Sequence, residues 1–115
     1  MITEADFFNA MADETRRRIL ALLSAHGELC VCELHVALDI QQPKVSRHLS
    51  VLRDLDILSM RRAGTWIFYR LNPQLPTWCS SVLTLMKPVW NGNSLCQEDT
   101  ARLLFMENRP MRCCA

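Results

Sequence analysis

Cys30 and Cys32, one residue apart in the string ELCVCEL, are the side chains whose type and spacing best suit chemistry in this sequence. Thiolates are soft donors that select soft acceptors, arsenite, antimonite, cadmium and lead among them, over hard cations. Residues i and i+2 do not share a face of a regular helix. Two sulfurs at this spacing can therefore hold one atom only if the helix end that carries them is frayed or distorts on capture. Arsenite takes up to three sulfurs, which leaves a third ligand open. His35 stands three residues after Cys32 on the same helical face, but a neutral imidazole suits zinc or cadmium better than arsenic(III). Two thiols alone suffice for a methylated trivalent arsenical with two exchangeable positions. Cys79, Cys96, Cys113 and Cys114 are further candidate ligands. The competing reading of a lone cysteine such as Cys79 is a small buried apolar residue, and that of Cys113 and Cys114 an inert tail.

The bulk sequence frames these thiols. Its 115 residues suffice for one core of modest size. The N-terminus MITEADFF is acidic where a signal peptide would be basic, and no apolar run is long enough to span a membrane. Six cysteines would suit a disulfide scaffold, but such scaffolds bring plentiful glycine and little helical periodicity. With three glycines and clear helical patterns, the sequence points instead to reduced thiols in the cytoplasm. The formal net charge is only +1, yet its distribution is uneven. Residues 1–40 carry three arginines against seven acids, and residues 41–72 six basic side chains against two acids. A polyanion needs one basic face, not a basic protein.

The elements that must position these residues follow from periodicity and caps. Thr3 caps a first helix whose Asp6 lies near the positive end of the dipole and whose Phe7, Phe8 and Met11 give an apolar side. Asp13 opens a second helix, ETRRRILALLSAH, dense in Ile19, Leu20, Leu22 and Leu23 and stopped by Gly27. A short third helix over about 30–38 turns Leu34, Ala37 and Leu38 inward. After the turn 39–42, Pro43 lies in the first turn of a fourth helix, where its missing N–H is tolerated. Val45, Leu49, Leu52 and Leu55 form the core stripe of that helix. The period then changes: 57–60 and 65–71 read as a β-hairpin with a basic tip, Arg61-Arg62-Ala63-Gly64. A fifth helix, TWCSSVLTLMK, carries Trp78, Val82, Leu85 and Met86 on one stripe and is expected to stop at Pro88. Ser94 and Gln97 form a capping box for a last helix through about Glu107, and Pro110 precedes the tail.

Two short helices, a tight turn and then a hairpin give a fold that is mainly α with a small β-hairpin, a winged helix-turn-helix. In that order the fourth helix enters the major groove. Its solvent side holds Gln41, Gln42, Lys44, Ser46, Arg47, His48, Ser50 and Arg53, all neutral or basic. Gln42, Ser46 and Arg47 suit base edges, since glutamine pairs bidentately with adenine and arginine with guanine. Lys44, Arg53, Arg61 and Arg62 suit phosphates, contacts that fix position without carrying sequence information. His48 reads as a backbone or DNA contact and His26 as a surface residue. The competing reading is an ordinary amphipathic helix with a solvated basic side.

The strings ETRRRILALL, ELCVCEL, QPKVSRHLSVLRDLDIL and MRRAGTWIFYRL together resemble the ArsR/SmtB family of metal-responsive repressors, over roughly residues 5–86. The resemblance implies a homodimer paired through its first and fifth helices, here 7–11 and 78–86, on double-stranded operator DNA with two related half-sites. Residues 1–90 would form the DNA-binding and dimerisation domain, and 91–115 a C-terminal helix with a cysteine-containing tail. It further implies a cytoplasmic repressor of arsenical resistance genes, with arsenic(III) or antimony(III) as inducer at Cys30 and Cys32 and no catalytic cofactor. The arsenic-sensing branch often has another cysteine where His35 stands here. Organoarsenical sensing in the family uses cysteine pairs in the C-terminal region, which makes Cys79 and Cys96 a second candidate pair. Gln41 replaces a hydroxyl residue common in relatives. Two other metal sites of the family lack their residues: 74–88 contain no His, Asp or Glu, and 1–29 contain no Cys. A thiol redox-responsive or cadmium/lead-responsive regulator of the same fold is the alternative. A small thiol reductase is disfavoured, because no base stands beside a nucleophile and no cofactor loop is present.

Overall fold

The computed structural model describes residues 1–107 and 109. Along these residues run α1 (Glu4–Met11), α2 (Glu14–His26), β1 (Glu28–Cys30), α3 (Val31–Leu38), α4 (Gln42–Asp54), β2 (Leu58–Ala63), β3 (Trp66–Leu71), α5 (Thr77–Asn91) and α6 (Ser94–Leu104). Side-chain caps set two starts: Thr3 Oγ1 accepts the Asp6 N–H at 3.1 Å, and Asp13 Oδ1 accepts the Arg16 N–H at 3.0 Å. Arg16 and Arg17 donate to the carbonyls of Ala10, Met11 and Ala12 at 2.8–2.9 Å. They supply the cations that the last turn of α1 lacks. Asp39 ends α3 with φ +56°, and its N–H and that of Ile40 return to the Val36 and His35 carbonyls. The chain is thereby redirected into α4 within a few residues.

Helix α2 runs through the core. Its Ile19, Leu20 and Leu23 are buried with Leu34 and Leu38 of α3 and with Val45, Leu49 and Leu52 of α4. The stripe foreseen on α4 thus faces inward except at its end, where Leu55 is half-buried and serves as the cap.

Five features differ from the sequence reading. Residues 28–30 form a third strand, β1, pairing antiparallel with β3 so that the sheet order is β1-β3-β2. Arg61 and Arg62 lie inside β2 rather than at the tip. The pairing of Ala63 with Trp66 leaves Gly64 and Thr65 as the loop, with Gly64 at φ +61°, as a two-residue turn with glycine first requires. Pro88 does not stop α5; it falls in the last turn, where its missing N–H forfeits a single bond, and the helix ends at Gly92, whose N–H bonds the Pro88 carbonyl. Asn93, not Ser94, caps α6 by accepting the Cys96 N–H at 3.0 Å, while Gln97 turns to the Asn91 carbonyl. That helix ends at Leu104, short of Glu107, its terminal turn closed by the Phe105 N–H on the Ala101 carbonyl.

The core takes Cys79, Leu83 and Trp90 from α5. The stripe foreseen on this helix lies to the other side: Trp78 is 38% and Leu85 74% exposed, with Val82 and Met86 half-buried. Phe8 joins it from α1, its ring centroid 6.4 Å from that of Trp78. No helix of the described residues is long and apolar enough to cross a membrane.

Candidate DNA-reading face and thiol site

Helix α4 turns a polar side outward as its sequence requires. Gln41, Gln42, Lys44 and Arg47 are exposed, and Ser46, His48, Ser50 and Arg53 are half-buried. Gln42 Nε2 donates to Ser46 Oγ at 3.3 Å, one turn on, which aligns two of the side chains suited to base edges. Lys44, Arg47 and Arg62 enter no ion pair among the described residues and keep their charge available to phosphate. Arg53 pairs with its neighbour Asp54 at 3.2 Å. His48 is turned toward the protein: Nδ1 lies 4.0 Å from Asp13 Oδ1 at the start of α2. Burial pushes its imidazole pKa down, against the pull of Asp13. Arg61 is engaged within the sheet, donating to both carboxylate oxygens of Glu28 at 2.6 and 3.1 Å and covering the Phe68 ring at 4.9 Å.

The two thiols sit on opposite sides of one turn. Cys30 is the last residue of β1 and the N-cap of α3, 1% exposed; Cys32 is exposed. A reciprocal capping box holds the turn: the Glu33 N–H faces the Cys30 sulfur, and Glu33 Oε1 accepts the Cys30 N–H at 3.0 Å. Burial pushes the Cys30 thiol from an ordinary 9.0 up to about 11, although the N–H groups of Glu33 and Cys32 pull the other way. Glu33 is itself fully buried, and its Oε2 accepts from Arg109 Nε at 2.7 Å.

The other end of α3 is held as firmly. Arg18 Nη2 donates to the Leu38 carbonyl and Arg102 Nε to the Ala37 carbonyl, both at 2.7 Å. Asp99 of α6, 1% exposed, accepts from both guanidiniums at 2.7–2.9 Å. The helix that bears the thiols and leads into α4 is therefore pinned at both ends by charged groups from α2, α6 and the residues after it.

The remaining candidates are dispersed. His35 lines a shallow cleft with Asp39, Ile40 and Gln41 at the turn before α4. Cys79 is fully buried in the core, and burial raises its thiol pKa. Cys96 is half-buried in a cleft of about 340 Å³ beside Trp90 and Arg18 that Cys79 does not line. Among the described residues no three of His, Cys, Asp and Glu converge to hold a metal ion, and Cys113 and Cys114 lie outside them. His26 is half-buried rather than at the surface, its Nε2 without a hydrogen-bond partner among the described residues and its pKa pushed down by burial. Sequence reasoning missed Glu33 and Arg109. The signal for Glu33 was an N-cap followed three residues on by Glu, with cysteine in the place of the usual serine or threonine.

Comparison with known proteins agrees with this architecture. The profile described as "Bacterial regulatory protein, arsR family" matches residues 13–59. The chain is 48% identical to the arsenic resistance transcriptional regulator ArsR2 of Pseudomonas putida, over 99% of this chain and 100% of that one. It is 51% identical to the arsenical resistance operon repressor of Escherichia coli, over 66% of this chain and 65% of that one. The crystal structure of the AntR antimony-specific transcriptional repressor superimposes with a TM-score of 0.60 at 31% identity, covering 88% of this chain and 86% of that one. With its winged helix-turn-helix and these relatives, the chain belongs to the arsR family of DNA-binding bacterial regulatory proteins.

Proposed function

We propose that this protein is a homodimeric repressor of arsenic resistance genes in the cytoplasm, released from operator DNA when Cys30 and Cys32 capture arsenite, antimonite or a methylated trivalent arsenical. The observation that carries the reading is the placement of both thiols on the capping turn of α3, the helix that leads directly into α4. Each sulfur–arsenic bond replaces an arsenic–hydroxyl bond, and the thiol proton leaves with that hydroxyl as water; no oxidation occurs. The adduct is neutral, so a buried sulfur can form it without burying a thiolate charge. A cation such as cadmium needs the thiolate itself, which a pKa of about 11 at Cys30 opposes. Because Cys30 faces the core and Cys32 faces solvent, one atom reaches both only when the capping box opens. Losing such a cap costs about 0.5–2 kcal/mol, which overlaps the range of about 1–3 kcal/mol that couples two sites in typical allosteric regulators.

On the DNA side, Gln42, Ser46 and Arg47 would read bases, and Lys44, Arg53 and Arg62 would contact phosphates. Gln41 and Ser50 flank them. Arg61 would serve the wing through its Glu28 pair, and His48 through its seat against Asp13. The apolar face of Phe8, Trp78 and Leu85 would pair two copies.

The test is a gel-shift series on DNA upstream of the gene under reducing conditions. Wild-type protein is expected to bind and to be released by micromolar arsenite, whereas Cys30→Ser and Cys32→Ser bind equally well and resist release. Release of both variants by arsenite would move the sensor to Cys79, Cys96, Cys113 or Cys114; release by peroxide alone would make it a redox switch.

A further inference from the structure

We infer that Arg109 and Glu33 form a latch over the turn that carries the two thiols, and that this latch sets how much inducer the protein requires. The inference rests on Cys30 and Cys32 being the capturing thiols. Glu33 has no solvent exposure, and its two oxygens point two ways: Oε1 to the Cys30 N–H at 3.0 Å, Oε2 to Arg109 Nε at 2.7 Å. The first contact fixes Cys30 in the extended conformation, φ −91° and ψ 170°, of a residue whose side chain is buried in the core. The second spans 76 positions of sequence and brings a positive charge to a carboxylate shielded from water. Arg102, on the preceding helix, grips the far end of α3 through the Ala37 carbonyl. The C-terminal segment thus holds α3 at both ends, and only the Arg109 end bears on the thiols.

Both sulfurs meet on one atom when the turn opens, and opening breaks the contact between Glu33 and the Cys30 N–H. The apparent affinity for inducer is the intrinsic affinity scaled by the fraction of molecules in which the turn is open. Arg109 lowers that fraction by keeping Glu33 in place. It acts through Glu33 and is a positioning residue for capture, not a ligand.

The test uses the full chain as wild type, Arg109→Gln, Glu33→Gln, the double variant and Arg109→Lys. Sodium arsenite is titrated under reducing conditions and followed by sulfur–arsenic absorbance, with operator affinity measured separately in its absence. The arsenite midpoint is expected to fall about 5-fold or more in each single variant and no further in the double, because the two side chains act as one unit. Arg109→Lys should return it toward the wild-type value. Operator affinity without arsenite should stay within about two-fold, since the closed turn still predominates. If Glu33→Gln fails to fold, Arg109→Gln and its lysine rescue carry the test. An unchanged midpoint in Arg109→Gln beside a responsive wild type would overturn the latch, as would additive effects in the double variant. A wild type that gives no absorbance change would end the sensing reading itself, and the latch with it.

Discussion

Varying pH separates a metalloid sensor from a cation sensor at Cys30, because the two ligands dispose of the thiol proton differently. Burial holds this thiol at a pKa of about 11, so at pH 7 only about one molecule in 10,000 carries the thiolate. A divalent cation binds the thiolate and sets the proton free. Its midpoint is therefore expected to tighten at least about 10-fold per pH unit between about pH 6 and pH 8. Compared with a thiol at the ordinary 9.0, burial weakens cation capture by about 100-fold, or about 3 kcal/mol. Arsenous acid brings one hydroxyl for each thiol proton and is uncharged through this range. Capture then releases no net protons, and the arsenite midpoint should stay within about two-fold across the same interval. The assay is the near-ultraviolet sulfur-to-arsenic or sulfur-to-cadmium absorbance, titrated anaerobically with a phosphine reductant, while a dye in weak buffer counts protons. An arsenite midpoint that weakens about 10-fold per pH unit, or a cadmium midpoint that does not move, would refute the reasoning. Either result requires Cys30 to be ionised at rest.

Charge placed on the apolar face of α5 should break the proposed dimer: Leu85→Glu is expected to sediment as a folded monomer and to lose operator binding. A stable dimer of this variant would remove the face from the interface. Asp99→Ala leaves two guanidiniums without their shared carboxylate, one of them on a 9% exposed arginine. Breaking such a buried network should lower stability by about 3–5 kcal/mol in chemical denaturation. Arg47→Ala should weaken the operator by about 1–3 kcal/mol and relax preference at one base pair. Lys44→Ala should instead weaken all DNA alike and reduce the salt slope by about 1. Equal effects of both variants on specific and random DNA would take Arg47 out of base reading.

Much of the site was legible because its parts are local. The Cys30–Cys32 spacing, the polar side of α4 and the caps Thr3, Asp13 and Gly27 each lie within a few residues of what they act on. The spacing also kept the two sulfurs off one helical face; the structure places Cys30 before α3 as its buried N-cap and Cys32 exposed within the helix. What escaped is either too short for a period or too distant in sequence. A three-residue strand such as β1 shows no alternation, and only its partner β3 makes it one. Arg61 reads as a free cation until the sheet brings Glu28, 33 positions away, beside it. Arg18 and Asp99 stand 81 positions apart, so their pairing leaves no local mark. Pro88 misled for a different reason: the proline itself forfeits one i→i−4 bond, while the turn after it still closes through the Gly92 N–H on the Pro88 carbonyl.

Under the proposed capture by Cys30 and Cys32, their unequal exposure would give derepression a time course as well as a threshold. A collision suffices for the bond to Cys32, which forms at a rate proportional to inducer concentration and is readily reversed by competing thiols. The bond to Cys30 waits for the capping turn to open, an internal event with its own fixed frequency. At high inducer the rate of release therefore levels off at that frequency, whatever the dose. A short pulse dissipates at the first stage, and a sustained exposure proceeds to the second. In that reading, burying one sulfur of the pair would turn a chemical trap into a delay element, so that the promoter would answer to duration and not to fluctuation.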